Sequence, residues 1–305
     1  MIWLGWRQQR TETLIAAALL ALVAAILVPS GIEMAHAYTR DGLAHCVDMT
    51  QGPTCGNVVS SFEQRFSKYT ALIGWFNLVP GLFGVAFAAP FVLELERGTH
   101  RLAWTQSITR RRWVTTKLAL AVGSTVLVAG ALIVILVWWR APLVRLDGRM
   151  DGSAFDSQGT VIFGYSLFAL GLALAIGAVW RRAVPAVMVA YVGYFIARIF
   201  TDSALRQHFV APRSLTWPAG QAQPAAVQHA WVISQSVVGP LDRATCLKQG
   251  AASIKQCLAL SGGSIHSVFV PASKFWVLQG IETGLFGGIA VALIAFAGWW
   301  TLYRE

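Results

Sequence analysis

Apolar and polar positions fall in long blocks along the chain. Six apolar blocks are long enough for a helix that crosses a bilayer, which takes about 20 residues. They cover residues 14–30, 71–93, 118–139, 159–180, 183–200 and 276–303. No ionisable residue stands at the middle of any of them. Arg198 closes the fifth block, and Glu282 precedes 21 uncharged residues, Thr283 to Tyr303, in the sixth. Those residues rise about 31 Å at 1.5 Å each, which puts the Glu282 carboxylate at the outer boundary. The pattern predicts an all-α integral membrane protein with six transmembrane helices, residues 1–305 forming a single domain. Two longer polar segments, 36–70 and 203–275, become loops on one side.

Composition narrows the class further. Hydrophobic residues make up 56% of the 305 positions and charged residues 12%, about half the roughly 25% usual in soluble domains. A soluble domain of this size leaves about a quarter of its chain's surface wet, so it cannot hide that much apolar surface. A soluble enzyme and a disordered chain are both excluded. The net charge of +10, which in a soluble chain would point to nucleic acid, is better read by its distribution. Segments 1–12, 95–117, 181–183 and 302–305 hold eleven lysines and arginines in 42 residues, against thirteen in the 132 residues of the opposite loops. Cations anchor cytoplasmic loops, so both termini are expected in the cytoplasm, and 36–70 and 203–275 outside the plasma membrane. Tryptophans cluster at the span ends, as Trp113, Trp180, Trp276 and Trp299 illustrate.

The cysteines agree with this topology. Cys46, Cys55, Cys246 and Cys257 all fall in exterior segments, where an even count predicts two disulfides. Three pairings are open; Cys46 with Cys55 and Cys246 with Cys257 is favoured, the second requiring a bend near Gly250. The first block, ending near Ala35-His36-Ala37, also resembles a signal peptide. Its length, and the odd number of spans cleavage would leave, argue against that.

Missing motifs exclude several chemistries. There is no phosphate-binding loop ending in Lys-Ser or Lys-Thr, no His-Glu-x-x-His and no Gly-x-Ser-x-Gly, so no enzymatic activity or bound cofactor is expected of the chain itself. The six histidines are scattered, and no metal site is expected. Asp147, Asp151 and Asp156 resemble a calcium loop, but Arg149 and Gln158 stand where carboxylates are needed, so the segment reads as a solvated turn. Leu260-Ser261-Gly262-Gly263-Ser264 matches an ATPase signature by letters alone and reads as an exterior Gly-Ser turn. Without intramembrane ionisable groups, coupling to a proton or sodium gradient is not expected. Small residues mark packing faces, within the chain or across a dimer: Gly280, Gly284 and Gly288 in the sixth span, Gly81, Gly84 and Ala88 in the second, Ala186 and Ala190 in the fifth. Phe76, Phe83 and Phe87 line another face of the second span, facing lipid or walling a pathway.

The densest polar information lies between Glu94 and Lys117. It reads as a helix leaving the membrane, a break at Gly98, a short surface helix around Trp104, and a cap at Ser107 or Thr109 before Arg110-Arg111-Arg112. Together with Asn77-Leu78-Val79-Pro80-Gly81, the runs Glu94-Leu95-Glu96-Arg97-Gly98-Thr99 and Trp104-Thr105-Gln106-Ser107 resemble permease subunits of type-2 ABC exporters. That resemblance implies an ATP-driven exporter in which two permease copies, as a homodimer, form the pathway. Two separate ATPase subunits would bind ATP and magnesium. It implies a cytoplasmic coupling helix between the second and third spans, with Glu94, Glu96, Arg97, Gly98, Thr99, Arg101 and Trp104 transmitting ATPase motion. It makes Phe76, Asn77, Phe83, Phe87, Tyr191 and Phe195 substrate-pathway candidates. Residues Ile2 to Arg10 resemble the family's short interfacial helix. Glu282 is either paired with a cation such as Arg198 or Lys274, or a gate near the exit. The alternative to transport is a membrane-embedded binding or sensory protein that uses 36–70 and 203–275. An enzyme acting on lipid-linked substrates would need clustered acid, base or metal groups, which the sequence lacks.

Overall fold

The computed structural model describes residues 2–48, 53–75, 78–99, 104, 109–239 and 262–304. Among them, six helical segments are long and apolar enough to cross a membrane. They lie in α1 (Ile2–Arg40), α4 (Val79–Glu96), α5 (Arg110–Asp147), α7 (Val161–Trp180), α8 (Ala183–Phe200) and α9 (Phe275–Tyr303). Between them lie α2 (Leu43–Asp48), α3 (Pro53–Trp75) and α6 (Gly152–Ser157), and after α8 a π turn (Thr201–Leu205) and a 3-10 turn (Arg206–His208).

Several boundaries differ from expectation for identifiable reasons. The second span begins at Val79 and not at residue 71, because Pro80 occupies the first turn of α4. A proline lacks the N–H that would continue a preceding helix and clashes with the carbonyl four residues back. The stretch to Trp75 therefore belongs to α3, and segment 36–70 is largely helical. α1 is continuous from Ile2, so no separate interfacial helix precedes the first span. α1 and α5 both outrun a bilayer: the 38 residues of α5 rise about 57 Å. Their overhanging ends build a platform with α3, where Tyr38 meets Phe62 edge-on at 6.4 Å and Phe62 meets Phe66 at 5.0 Å. A Cys46–Cys55 disulfide ties α2 to α3. Cys246 and Cys257 lie outside the described residues.

At the centre of the bundle is α7, packed against α4, α5, α8 and α9. It is apolar on all sides, which suits a helix surrounded by others. Gly84 shows how closely α4 approaches it: a Cβ there would overlap the Ser166 carbonyl oxygen. Gly81 admits the Tyr194 ring of α8 in the same way, and Ala186 and Ala190 are fully buried on α8. In contrast, a Cβ added at Gly280, Gly284 or Gly288 would meet nothing within 4 Å among the described residues. Packing within the chain does not explain that stripe. The outer belt of the bundle exposes Leu127, Val134, Val184, Met188, Ile196 and Val291, a surface that lipid solvates.

The expectation of an all-α fold fails in segment 203–275. Three antiparallel strands, β1 (Arg213–Pro218), β2 (Trp231–Val238) and β3 (Ser264–Val270), form a sheet in the order β1-β3-β2. Arg213 pairs with Phe269 and Trp231 with Val270, and β2 carries a bulge between Val232 and Ser234. Alternation in β3 explains it: Ile265, Ser267 and Phe269 point inward, and Trp217, Val227, Ile265 and Phe269 make a small second core. β3 runs through one 3-10 turn (Ala272–Lys274) directly into α9.

Candidate functional site: an elbow and a buried charge cluster

Two polar assemblies stand at opposite ends of the bundle. The first is the elbow after α4. Gly98 adopts φ +69°, a left-handed conformation that turns the chain out of the helix. Of the surface helix expected next, Thr99 and Trp104 are described, both helical; residues 100–103 and 105–108, including Arg101 and Ser107, lie outside the described residues. Thr109 caps α5 by accepting the Arg112 N–H at 3.4 Å. Trp104 meets Trp113 edge-on at 6.1 Å and carries the Arg110 guanidinium 4.4 Å above its ring, while Trp113 stacks on Phe91 of α4.

The acidic residues of the elbow turn inward. Lys117 donates to the Glu94 carboxylate at 2.5 Å, joining the ends of α4 and α5. The Glu96 carboxylate accepts the Ala183 N–H at 2.8 Å and so caps the first turn of α8. Arg181, at φ 54°, closes α7 just before that turn, its N–H donating to the Gly177 carbonyl at 2.9 Å. Glu94 and Glu96 thus bind the elbow to two further spans, while Arg97 and Thr99 stay on the outer side of the turn.

The second assembly surrounds Glu282, whose side chain is 0% exposed. Arg198 donates to its carboxylate at 3.1 Å, and Arg206 donates at 3.1 and 3.2 Å. Tyr165 of α7 also donates to it and accepts from Arg198 at 2.6 Å. Asp156 pairs with Arg198 at 2.9 Å and with Arg206 at 2.5 Å. Asp202 holds Arg206 from the exposed side at 2.5 Å. Two buried cations therefore face two buried anions, which offsets the cost of removing each from water. One turn away, Gln279 accepts the Val161 N–H and donates to the carbonyls of Phe155 and Gln158. The cluster locks α6, α7, α8 and α9 together at the sheet end.

This geometry corrects one reading outright: Asp156 is not in a solvated turn but is buried as a counter-ion. Sequence reasoning gives Asp156, Arg206 and Tyr165 no part in such a cluster. Arg198, Asp202 and Arg206 do recur at steps of four, a signal that one helical face collects them. Lys274, the other cation considered for Glu282, forms no ion pair among the described residues.

The pathway candidates separate into two groups. Phe83 and Phe87 are 1% and 0% exposed, within the core that α4 shares with α7, so that face of α4 does not meet lipid. Tyr191 stacks on Tyr194 and donates to the Leu78 carbonyl at 3.4 Å. Phe195 lines a cavity of about 350 Å³ with Trp75, Leu78, Arg198 and Asp202, so this cavity borders the charge cluster. Phe76 and Asn77 lie outside the described residues. Among the described residues no cluster of metal-ligating side chains occurs.

A helical membrane protein with six candidate spans and a small sheet at one end of the bundle is the class the described residues define. The family model described as ABC-2 membrane transporter related matches residues 17–206, well over half the chain, and the chain belongs to that family. It is therefore a multi-pass membrane transport component of the ABC-2 permease type. No curated protein and no solved structure matches it.

Proposed function

We propose that the chain is the membrane-spanning subunit of an ATP-driven exporter of the plasma membrane. Two copies form the pathway, and each docks a separate ATPase subunit that binds ATP and magnesium. The elbow and both termini face the cytoplasm, where their arginines are dense; the sheet faces outside. The observation that carries this reading is the paired anchorage of the elbow. Glu94 to Lys117 and Glu96 to Ala183 attach one short segment to α4, α5 and α8, so force applied there moves three spans together. Arg97, Thr99 and Trp104 then offer the contact to the ATPase. At the far end the Glu282 cluster is the element such movement would strain, since it holds four helices by charge.

The test is coexpression with an ATPase subunit encoded beside this chain's gene. Co-isolation in detergent and stimulated ATP hydrolysis in lipid are expected; loss of both overturns the proposal. The binding or sensory alternative draws on an outer cleft of about 1080 Å³ lined by Glu63, Asp147, Arg140 and Trp231. It predicts ligand binding at that cleft with no ATPase partner.

A further inference from the structure

A groove of about 540 Å³ runs between α5, α7 and α9, lined by Leu118, Val122, Leu167, Val291, Ile294 and Leu302 among others. Ala290, Ala295 and Gly298 make it hollow. From Ala290 to Tyr303 it extends about 20 Å, about two thirds of the roughly 30 Å hydrocarbon core. Thr115, Leu302 and Tyr303 lie at its elbow end, and from there it reaches a little past the bilayer's middle. Its hydroxyl groups, on Thr115 and Tyr303, both stand at the elbow mouth, and exposed Trp299 and Tyr303 place amphipathic rings there.

The mouth is strongly cationic. Arg111, Thr115, Leu118 and Val122 follow one another at steps of four, three and four, so Arg111 continues the face of α5 that lines the groove. The Thr115 hydroxyl donates to the Arg111 carbonyl at 2.9 Å, fixing the two on one turn. Arg110 and Arg112 flank Arg111, all three are exposed, and none pairs with a carboxylate among the described residues. A zwitterionic headgroup brings a phosphate but also a cation of its own, so only a headgroup with net negative charge compensates this cluster.

We propose that this groove holds one acyl chain of an anionic phospholipid from the leaflet on the elbow side, with the lipid phosphate against Arg111 and Arg112. Basic side chains supply the headgroup selectivity and the apolar hollow supplies the residence time. The proposal rests on the chain spanning a membrane, not on ATP-driven export.

Native mass spectrometry tests it, using the purified full-length protein exchanged into micelles with equal phosphatidylglycerol and phosphatidylcholine. Phosphatidylglycerol should be retained over phosphatidylcholine by about tenfold or more, as two basic groups beside an anionic headgroup provide. In R111A/R112A the two lipids should be retained equally, while R111K/R112K should keep the preference. Ala295→Trp, which fills the groove from its lining, should lower retention of both. Equal retention by the wild-type protein, an undiminished preference in R111A/R112A, or unchanged retention in Ala295→Trp would each overturn the assignment. None of these measurements involves a partner ATPase, so their failure leaves the exporter reading standing.

Discussion

Glu282 has three donors in Arg198, Arg206 and Tyr165, all buried with it. Glu282→Gln leaves two guanidiniums facing a single buried aspartate, and removing one partner from a buried ion pair costs about 3–5 kcal/mol. A lowered thermal unfolding temperature in detergent, with loss of a monodisperse peak, is the expected outcome; unchanged stability would show that the pairing carries no load. A different carboxylate sets a pH dependence. Partial burial, repulsion from Asp147 and a hydrogen bond with it together hold the Glu63 carboxyl above its ordinary value of 4.5. The folded state keeps a proton that the unfolded chain releases, so this contribution to stability is complete below 4.5 and is lost as pH rises through the raised value. Glu63→Gln should flatten that dependence in thermal melts across the range. Some of this scale is legible in the sequence: Arg198 and Glu282 stand out as charges at span ends. Asp156 does not, because Asp, Gly and Ser in a short connection read equally as a wet turn. Family likeness points Glu94 and Glu96 towards a partner, but it locates a segment and does not say which way a side chain turns.

Among elements, helix continuity follows from single residues that hydropathy averages over. The apolar block at 71–93 holds two helices because Pro80 starts a new one. The β-sheet is hard to read because its strands have six to eight residues and sit in a polar stretch; only β3 alternates cleanly. Glycine stripes look alike in sequence, yet differ in structure. Gly84 lies against the α7 backbone, whereas Gly284 has open space beside it. Gly84→Leu should therefore abolish stable assembly of the bundle, while Gly284→Leu should leave the protomer's melting temperature within about 1 °C. Thermal unfolding of the two variants side by side checks this, and equal damage would contradict the packing described.

On the scale of the whole molecule, six spans and a polarised distribution of arginines are readable from the chain, and they imply an orientation. Arg97 is exposed at the elbow. A single Arg97→Cys should react with a membrane-impermeant maleimide in inside-out vesicles and stay unlabelled in intact cells; the opposite pattern would reverse the topology. What hydropathy leaves out is the mechanical linkage, since Lys117 and Glu94 are 23 positions apart and meet only in the folded bundle. The most direct measurement of the central claim is ATP hydrolysis by the lipid-reconstituted complex carrying Lys117→Met. The exporter account predicts that the ATPase subunit still co-purifies but is no longer stimulated, and that the charge-exchanged pair E94K/K117E regains stimulation. Full stimulation with Lys117→Met, or none with the wild-type chain, would contradict the elbow's role as the lever.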